Sequence, residues 1–166
     1  MNIYPPGNDV TLLHCGAEFF PALEAAIDAA KTEVRLETYI LADDETGRRI
    51  AAAMKRAVDR GVAVRVVHDG FGSVSFLGKL GERMRQDGIE VAVFRPETWW
   101  NTFRRSRLRR LHRKLAMIDG RVAFVGGINI IDDLNMPDPK HPRFDYAVRV
   151  AGPLLEPIHA AMCSLW

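Results

Sequence analysis

Residues 112–129 read HRKLAMIDGRVAFVGGIN, and this stretch decides how the rest of the chain is interpreted. Two short apolar runs, residues 115–118 and 122–125, contain the branched and aromatic residues that favour strands. The Asp119-Gly120 pair between them is a strong signal for a two-residue turn. The stretch therefore predicts an antiparallel β-hairpin.

The turn also predicts which side chains of the hairpin share a face. A two-residue turn pairs Ile118 with Arg121, and the same register places His112 opposite Gly127. Alternate residues of a strand lie on one face, and cross-strand pairs lie on the same face. The face predicted in this way carries an imidazole, an ammonium group, a side-chain amide and a glycine: His112, Lys114, Asn129 and Gly127.

This combination of groups suits an anionic ligand. A lysine supplies positive charge, an asparagine supplies a neutral donor, and Gly126 and Gly127 leave room for close approach. An imidazole such as that of His112 can attack or transfer a proton near neutral pH. A His-x-Lys pair alone is more often a basic, half-exposed hairpin, but the full spacing H-x-K-x4-D-x6-G-G-x-N is much more restrictive.

The full spacing resembles the HKD signature of the phospholipase D superfamily, and the sequence around it is most similar to the N-terminal half of bacterial cardiolipin synthases. The resemblance covers most of the chain, because it also includes LETY at residues 36–39, the acidic pair Asp43-Asp44, HDG at residues 68–70 and FDYAVRVAGP at residues 144–153. It implies a layered α/β domain that acts on phosphodiesters. No cluster of His, Cys and acidic residues in the sequence has metal-ligand spacing, so we expect a metal-independent site.

The resemblance also implies roles for particular residues. It identifies His112 as the catalytic imidazole, Lys114 and Asn129 as phosphate-binding groups, and Asp145 as the acid that orients the imidazole. Asp119 belongs to the catalytic motif, but its parity points it away from His112, and turn chemistry favours a structural role. In the superfamily one histidine forms a covalent phosphohistidine while a second histidine protonates the leaving alkoxide.

Only one copy of the motif is present, although the implied mechanism needs two histidines. We therefore expect either a homodimer or one half of a tandem enzyme that transfers phosphatidyl groups between phospholipids, and the truncated half is favoured. The alternatives are a homodimeric, metal-independent phosphodiesterase or nuclease, as in small single-motif relatives, and an inactive half-domain. The partners expected are a phospholipid substrate and a second HKD domain, and nucleic acid is the less favoured partner.

The remaining sequence predicts one layered α/β domain over residues 1–166, with a mixed, largely parallel sheet and helices on both faces. Strands and helices alternate up to residue 94, as in units joined by helical crossovers. Residues 62–67 form a nearly continuous apolar run, which is typical of a strand buried on both faces. A helix is predicted over residues 75–86.

Further site candidates lie outside the motif. Glu37 falls on the less apolar face of its predicted strand, where it lines the cleft or bonds a loop. His68 and Asp69 end a strand, where crevices of α/β sheets form, although a buried histidine and an Asp-Gly turn are equally good readings. Arg110, just before the motif, is a candidate for binding substrate.

Composition sets limits on location and partners. Half the chain is hydrophobic (48%), the net charge is only +2, and no apolar run is long enough to cross a bilayer. Cys15 and Cys163 lack metal or redox spacing, which indicates free, buried thiols in a reducing cytoplasm.

The basic residues are unevenly placed. Many of them crowd the segment from residue 104 to residue 114: Arg104, Arg105, Arg107, Arg109, Arg110, Arg113 and Lys114. With Trp99 and Trp100 beside it, this segment suits an anionic membrane surface, although a solvated loop and a nucleic-acid patch fit as well. We expect a cytoplasmic protein that lies at the inner membrane surface.

Overall fold

The computed structural model describes residues 6–73, 79–96, 110–135 and 141–166. These residues form seven strands and four helices in the order β1 (Asp9–His14), α1 (Cys15–Ala29), β2 (Glu33–Thr38), α2 (Glu45–Asp59), β3 (Ala63–Asp69), α3 (Leu80–Gln86), β4 (Glu90–Phe94), β5 (Leu115–Ile118), β6 (Val122–Gly126), β7 (Tyr146–Ala151) and α4 (Leu155–Cys163). Trp99, Trp100 and most of the basic segment, together with the predicted start of the helix at Ser75, lie outside the described residues.

The strands make one mixed sheet in the order β1-β7-β6-β5-β2-β3-β4. The layered α/β class is confirmed, but only the β2–β3 and β3–β4 pairings are parallel, and the other four pairings are antiparallel. The sheet is therefore less parallel than the sequence predicted. The second half of the chain accounts for this difference. There, β5 and β6 form a hairpin and β7 returns beside β6, so these neighbouring strands are antiparallel and are not joined by helical crossovers.

The hairpin turn differs from the prediction by one residue. Asp119 and Gly120 both have positive φ, 53° and 62°, and the N–H of Arg121 donates to the carbonyl of Ile118 at 2.9 Å. However, Ile118 pairs with Val122 rather than with Arg121, so Arg121 is an extra residue in the turn. The predicted pairing of His112 with Gly127 is therefore wrong, and the backbone of Lys114 instead bonds that of Gly126.

Most of the apolar core lies between one face of the sheet and helices α1 and α2. Helix α2 begins at a cap in which the carboxylate of Asp44 accepts the N–H of Gly47 at 2.9 Å, and Gly61, with φ 85°, follows its end. Its apolar stripe packs beside α1 onto the sheet. Its members include Phe19, Phe20, Leu23, Ile27, Leu36, Ile50, Met54 and Phe124.

The opposite face is covered by α4 and holds a much smaller apolar cluster. Its buried members are Met117, Ala123, Leu155 and Met162. Beside this cluster, the α4 face carries charged side chains of β2 and β3, including Arg35 and Arg65, both ion-paired to Glu33. Both cysteines are free, and Cys163 on α4 is exposed rather than buried as predicted.

Candidate active site

His112 lies in an irregular segment immediately before β5, and its side chain is exposed. Its ring packs against the ring of Tyr39, with centroids 5.2 Å apart. The preceding residue is anchored in the protein, because the N–H of Leu111 donates to a carboxylate oxygen of Asp69 at 2.8 Å. The backbone next to the imidazole is thus fixed by the protein, while the ring remains accessible to a ligand.

Lys114 is almost fully buried, with only 8% of its surface exposed. Its ammonium group donates to the carbonyl of His112 at 3.0 Å and lies 5.5 Å from the centre of the Tyr39 ring. Burial lowers the pKa of Lys114, although the nearby charge of Asp145 acts in the opposite direction. This arrangement provides a poorly solvated cation directly beside the candidate catalytic imidazole.

Asn129 follows β6 and is fixed by the chain that follows β2. Its side-chain carbonyl accepts the N–H of Ile40 at 3.0 Å, and the N–H of Ile130 donates to the Ile40 carbonyl at 3.1 Å. Because the amide oxygen is used in this contact, the amide nitrogen is the group left to donate to a ligand. Tyr39, the neighbour of Ile40, contacts both His112 and Lys114, so all three motif residues converge on one turn.

Asp145 lies just before β7 and close to Gly127. One carboxylate oxygen accepts the N–H of Tyr146 at 2.7 Å, and a Cβ at position 127 would come within 2.2 Å of it. A Cβ at Gly126 would instead meet the backbone of Ala147 and Tyr146 at 2.5 Å. The expectation that these glycines leave room for substrate is therefore wrong, because strand β7 and the Asp145 carboxylate fill that room.

No hydrogen bond joins Asp145 to His112 within the part of the chain that the structure describes. The orienting role of this acid thus stays a prediction, and its negative charge acts to raise the pKa of Lys114. An acid near a buried ammonium keeps that ammonium charged, which is a second way in which Asp145 can serve the site.

Asp119 has the contacts of a structural anchor. Its carboxylate accepts backbone N–H groups of Lys31, Thr32 and Glu33 at 2.8–2.9 Å, together with the Thr32 hydroxyl at 2.8 Å. Burial acts to raise the pKa of Asp119, but these hydrogen bonds lower it to about 2. The residue lies at the far end of β5 from Lys114, so its place in the motif reflects the tie between the hairpin turn and β2.

Glu37 and His68 are not at an accessible surface. Their exposed fractions are 2% and 0%, which favours a bond to a loop for Glu37 and a buried histidine for His68, and their contact with substrate stays a prediction. Glu37 lies on the α4 face, where its carboxylate is 2.9 Å from the Nε of Arg113, and burial raises its pKa to about 7 although Arg113 lowers it. Burial also lowers the pKa of His68, whose Nδ1 is 3.2 Å from the Asp69 carbonyl.

Asp69 and Arg110 organise the approach to the motif. Besides Leu111, the buried carboxylate of Asp69 accepts the N–H groups of Phe71 and Gly72 at 2.9 and 3.1 Å. Arg110 lies 3.8 Å from the same carboxylate and stacks over the ring of Phe71 at 4.9 Å. The Asp-Gly turn reading of Asp69 is therefore correct, and the described contacts of Arg110 are with the protein itself.

Tyr39 is the site residue that sequence reasoning missed. It lies one residue beyond β2, and its ring contacts both the imidazole of His112 and the ammonium group of Lys114. The signal available in the sequence was its position in the LETY stretch, two residues after Glu37 on the same predicted face.

The described residues contain neither a cluster of metal ligands nor a helix that could span a membrane. No three or more His, Cys, Asp and Glu side chains in residues 6–73, 79–96, 110–135 and 141–166 gather as metal ligands would. Over the same ranges, none of the helices combines the length and apolarity needed to span a bilayer.

Solved structures establish which fold this arrangement belongs to. NucT from Helicobacter pylori superposes with a TM-score of 0.72 at 17% identity, covering 95% of each chain. The phospholipase D family member Nuc from Salmonella typhimurium superposes with a TM-score of 0.66 at 21% identity, covering 95% of this chain and 93% of that one. The architecture is therefore that of the phospholipase D fold.

Sequence comparison places the chain within that class. The family model for the PLD-like domain of cardiolipin synthase matches residues 23–135. Cardiolipin synthase B of Salmonella typhi is 38% identical over 152 residues, and that of Escherichia coli K12 is 34% identical over the same length. Each match covers 92% of this chain but 37% of the relative. The chain belongs to the cardiolipin synthase PLD-like domain family, and it spans little more than a third of the curated relatives that it matches.

Proposed function

We propose that this chain supplies half of the active site of a phosphatidyltransferase that joins phospholipids, as a cardiolipin synthase does. The observation that carries the proposal is the pairing of His112 and Lys114, an exposed imidazole beside a buried ammonium group, both against the ring of Tyr39. An exposed nucleophile next to a poorly solvated cation is suited to attack on a phosphodiester, whose charge the cation offsets.

In the proposed first step, a ring nitrogen of His112 attacks phosphorus, and the bond from phosphorus to the leaving alkoxide breaks. A second imidazole gives its proton to that alkoxide, which leaves as an alcohol. In the next step the hydroxyl of an acceptor lipid attacks phosphorus, its proton passes to the second imidazole, and the phosphorus–nitrogen bond breaks. The donor phosphatidyl group has then moved to the acceptor, and His112 is free again.

Lys114 and Asn129 stabilise the charge that develops on the phosphoryl oxygens. The ammonium of Lys114 is the stronger group, because burial removes the water that would otherwise screen it. The amide nitrogen of Asn129 adds a neutral donor whose position is fixed by the contact of its oxygen with Ile40. Asp145 keeps Lys114 charged and, in the family mechanism, orients His112.

The second imidazole comes from another copy of the domain. Attacking and leaving groups lie on opposite sides of phosphorus in an in-line displacement, so His112 cannot serve both. We infer that a second HKD domain, in the same chain or in a second chain, faces this one across a shared cleft. We also propose that the protein works at the inner membrane surface, where residues 99–113 supply two tryptophans and the basic cluster.

The test is an assay of the purified assembly on vesicles that contain phosphatidylglycerol with a labelled glycerol headgroup. Transfer predicts labelled glycerol and cardiolipin in equal amounts, and a protein-bound, acid-labile phosphatidyl group when acceptor is scarce. His112→Ala should abolish both signals, whereas His141→Ala, at another exposed histidine, should abolish neither. Turnover that survives His112→Ala in a clean preparation would remove this residue from the mechanism.

A second candidate function is a homodimeric phosphodiesterase that acts on nucleic acid. The observation in its favour is that NucT and Nuc match this chain over 93% or more of their own lengths, so the fold also occurs in chains of this size. Parallel assays on plasmid DNA, with the mass of the assembly measured in solution, distinguish the two functions. Cleavage of DNA by a dimer, without lipid transfer, would replace the first proposal. A pure monomer that is inactive on both substrates would support an inert half-domain.

A further inference from the structure

The segment that carries His112 and Lys114 has one backbone bond to β6, from the N–H of Gly126 to the carbonyl of Lys114 at 3.2 Å. Residues 110–114 have no assigned secondary structure, and β5 begins only at Leu115. The described contacts that fix this segment are made largely by side chains. Asp69 binds the N–H of Leu111, Lys114 binds the carbonyl of His112, and Arg113 pairs with Glu37.

Arg113 lies on the opposite face of the sheet from its neighbour Lys114. Lys114 borders the α1 face, where a small cavity is lined by Lys114, Phe19 and Phe124 together with residues of β2 that include Glu37. The guanidinium of Arg113 lies at the α4 face, with its Nε 2.9 Å from a carboxylate oxygen of Glu37 and its Nη1 donating to the α4 carbonyl of Ala161 at 3.3 Å.

Burial of the Glu37 carboxylate is energetically unfavourable, which indicates that the residue has a function. Only 2% of its surface is exposed, and it lies in the middle of the sheet next to β5. Arg113 is its ion-pair partner, while the other charged residues on the same side of β2 and β3 include Arg35, Arg65 and Glu33. A buried carboxylate that holds a half-exposed arginine does little for stability, but it does fix where the arginine side chain goes.

We propose that Glu37 is a positioning residue for the reaction: it holds Arg113 on the α4 face, and it thereby keeps the adjoining His112 and Lys114 directed to the candidate site. The inference rests on the proposed function of that site. The physical reason is the alternation of side chains along an extended chain, since one residue held on the α4 face sends both neighbours to the other side. The bond from Arg113 to Ala161 extends the same link to α4.

The experiment uses the full chain labelled at histidine and lysine for NMR, with Glu37→Gln, Arg113→Gln and the double variant. The contact of the His112 ring with the Tyr39 ring should give a nuclear Overhauser effect, and Lys114 should carry ring-current shifts from Tyr39. All three variants should lose both signals to the same extent, because the two residues act through one interaction. Glu33→Gln is the matched control, since this acid is on the same strand and face and is ion-paired to arginine, but not to Arg113.

The outcomes separate this proposal from the proposed function. If both signals persist in Glu37→Gln and Arg113→Gln, the positioning role is overturned whatever the activity. If Glu37→Gln does not fold, Arg113→Gln alone decides, because removal of a half-exposed arginine leaves the core intact. In an active assembly, kcat should fall at least tenfold with little change in KM, and Glu33→Gln should retain the wild-type kcat. Loss of the NMR signals in a protein that has no transferase activity would support the positioning role and reject the function.

Discussion

The two faces of the sheet differ in what they contribute. The face covered by α1 and α2 holds a continuous apolar core that draws on both helices and on strands β2, β3, β5 and β6. The face covered by α4 has a small apolar cluster and, beside it, the buried carboxylate of Glu37 paired with Arg113. The first face buries most of the apolar side chains, while the second connects α4 to the segment that bears His112. The candidate site lies where the sheet ends, so its residues belong to neither core.

The largest effect should follow from a change at the site that leaves both faces intact. Asp145→Asn removes the charge near Lys114 and the acid that the family mechanism places behind the imidazole, so turnover should fall by about 10²–10⁴-fold. The free energy of unfolding should change by less than about 1 kcal/mol, because the side chain is partly exposed. Steady-state kinetics and urea unfolding measure the two quantities. A loss of activity below tenfold at unchanged stability would make Asp145 a solvated edge residue.

Replacing one buried leucine by alanine on each face of the sheet should show how much each apolar cluster contributes to stability. Leu23 on α1 is fully buried in the large core, whereas Leu155 on α4 is 8% exposed in the small cluster. Leu23→Ala should lower the free energy of unfolding by about 3–5 kcal/mol, and Leu155→Ala by about 1–2 kcal/mol, because less of the surrounding cavity is enclosed. Urea denaturation provides both values. Equal losses would mean that α4 is as important to the fold as α1.

Two adjacent glycines should separate folding from function. Gly126→Ala forces a Cβ against the backbone of β7 and should cost about 1–3 kcal/mol of stability. Gly127→Ala instead forces a Cβ against the Asp145 carboxylate, a side chain that can turn away. We expect this variant to lose at least about tenfold in activity, with stability within about 1 kcal/mol of wild type. Thermal unfolding and turnover should be measured on both variants. A loss mainly of activity in Gly126→Ala and mainly of stability in Gly127→Ala would contradict the assignment.

The smallest effect concerns acid stability. Because the pKa of Asp119 is lowered to about 2 from an ordinary 3.8, its contribution is present above about pH 4 and is lost as the pH falls towards 2. Asp119→Asn should therefore cost about 1–2 kcal/mol at pH 7 and progressively less below pH 4. Denaturation at a series of pH values tests this expectation. Asp59→Asn, at an exposed acid of α2 that is paired with Lys55, is the control and should have little effect at any pH. If the loss of stability in Asp119→Asn did not become smaller as the pH falls, the charge of the carboxylate would not be the origin of the stabilisation.

The sequence predicted local features better than pairings. The alternation of strands and helices, the buried strand at residues 62–67 and the Asp119-Gly120 turn could be recognised because each depends on neighbouring residues. The single extra residue Arg121 could not be foreseen, since a two-residue turn and the same turn followed by a bulge share one signal. The parallel share of the sheet was overestimated because the direction of β7 and β1 depends on contacts between distant parts of the chain.

The predicted site residues show the same difference between local features and contacts of distant parts of the chain. Spacing and resemblance indicated His112, Lys114 and Asn129, and the structure brings these residues to one turn through Tyr39 and Ile40. Burial could not be inferred in the same way, so Glu37 and His68 were assigned to the substrate although both are enclosed. Gly126 and Gly127 were expected to leave room for a ligand, but the groups that come close to them are the backbone of β7 and the Asp145 carboxylate.

The tie between Asp119 and Thr32 has a consequence for the order of folding. These residues are 87 positions apart, and the tie closes where β2 meets β5, with two parallel strands and two helices inserted between them. Closing so long a loop costs entropy before any contact offsets it, so this pairing belongs to the late part of folding. Tyr39 and Ile40 lie on one side of the seam, and His112, Lys114 and Asn129 lie on the other. His112, Lys114 and Asn129 therefore reach their contacts with Tyr39 and Ile40 only after the seam has closed, and a partly folded chain holds the motif without these surroundings.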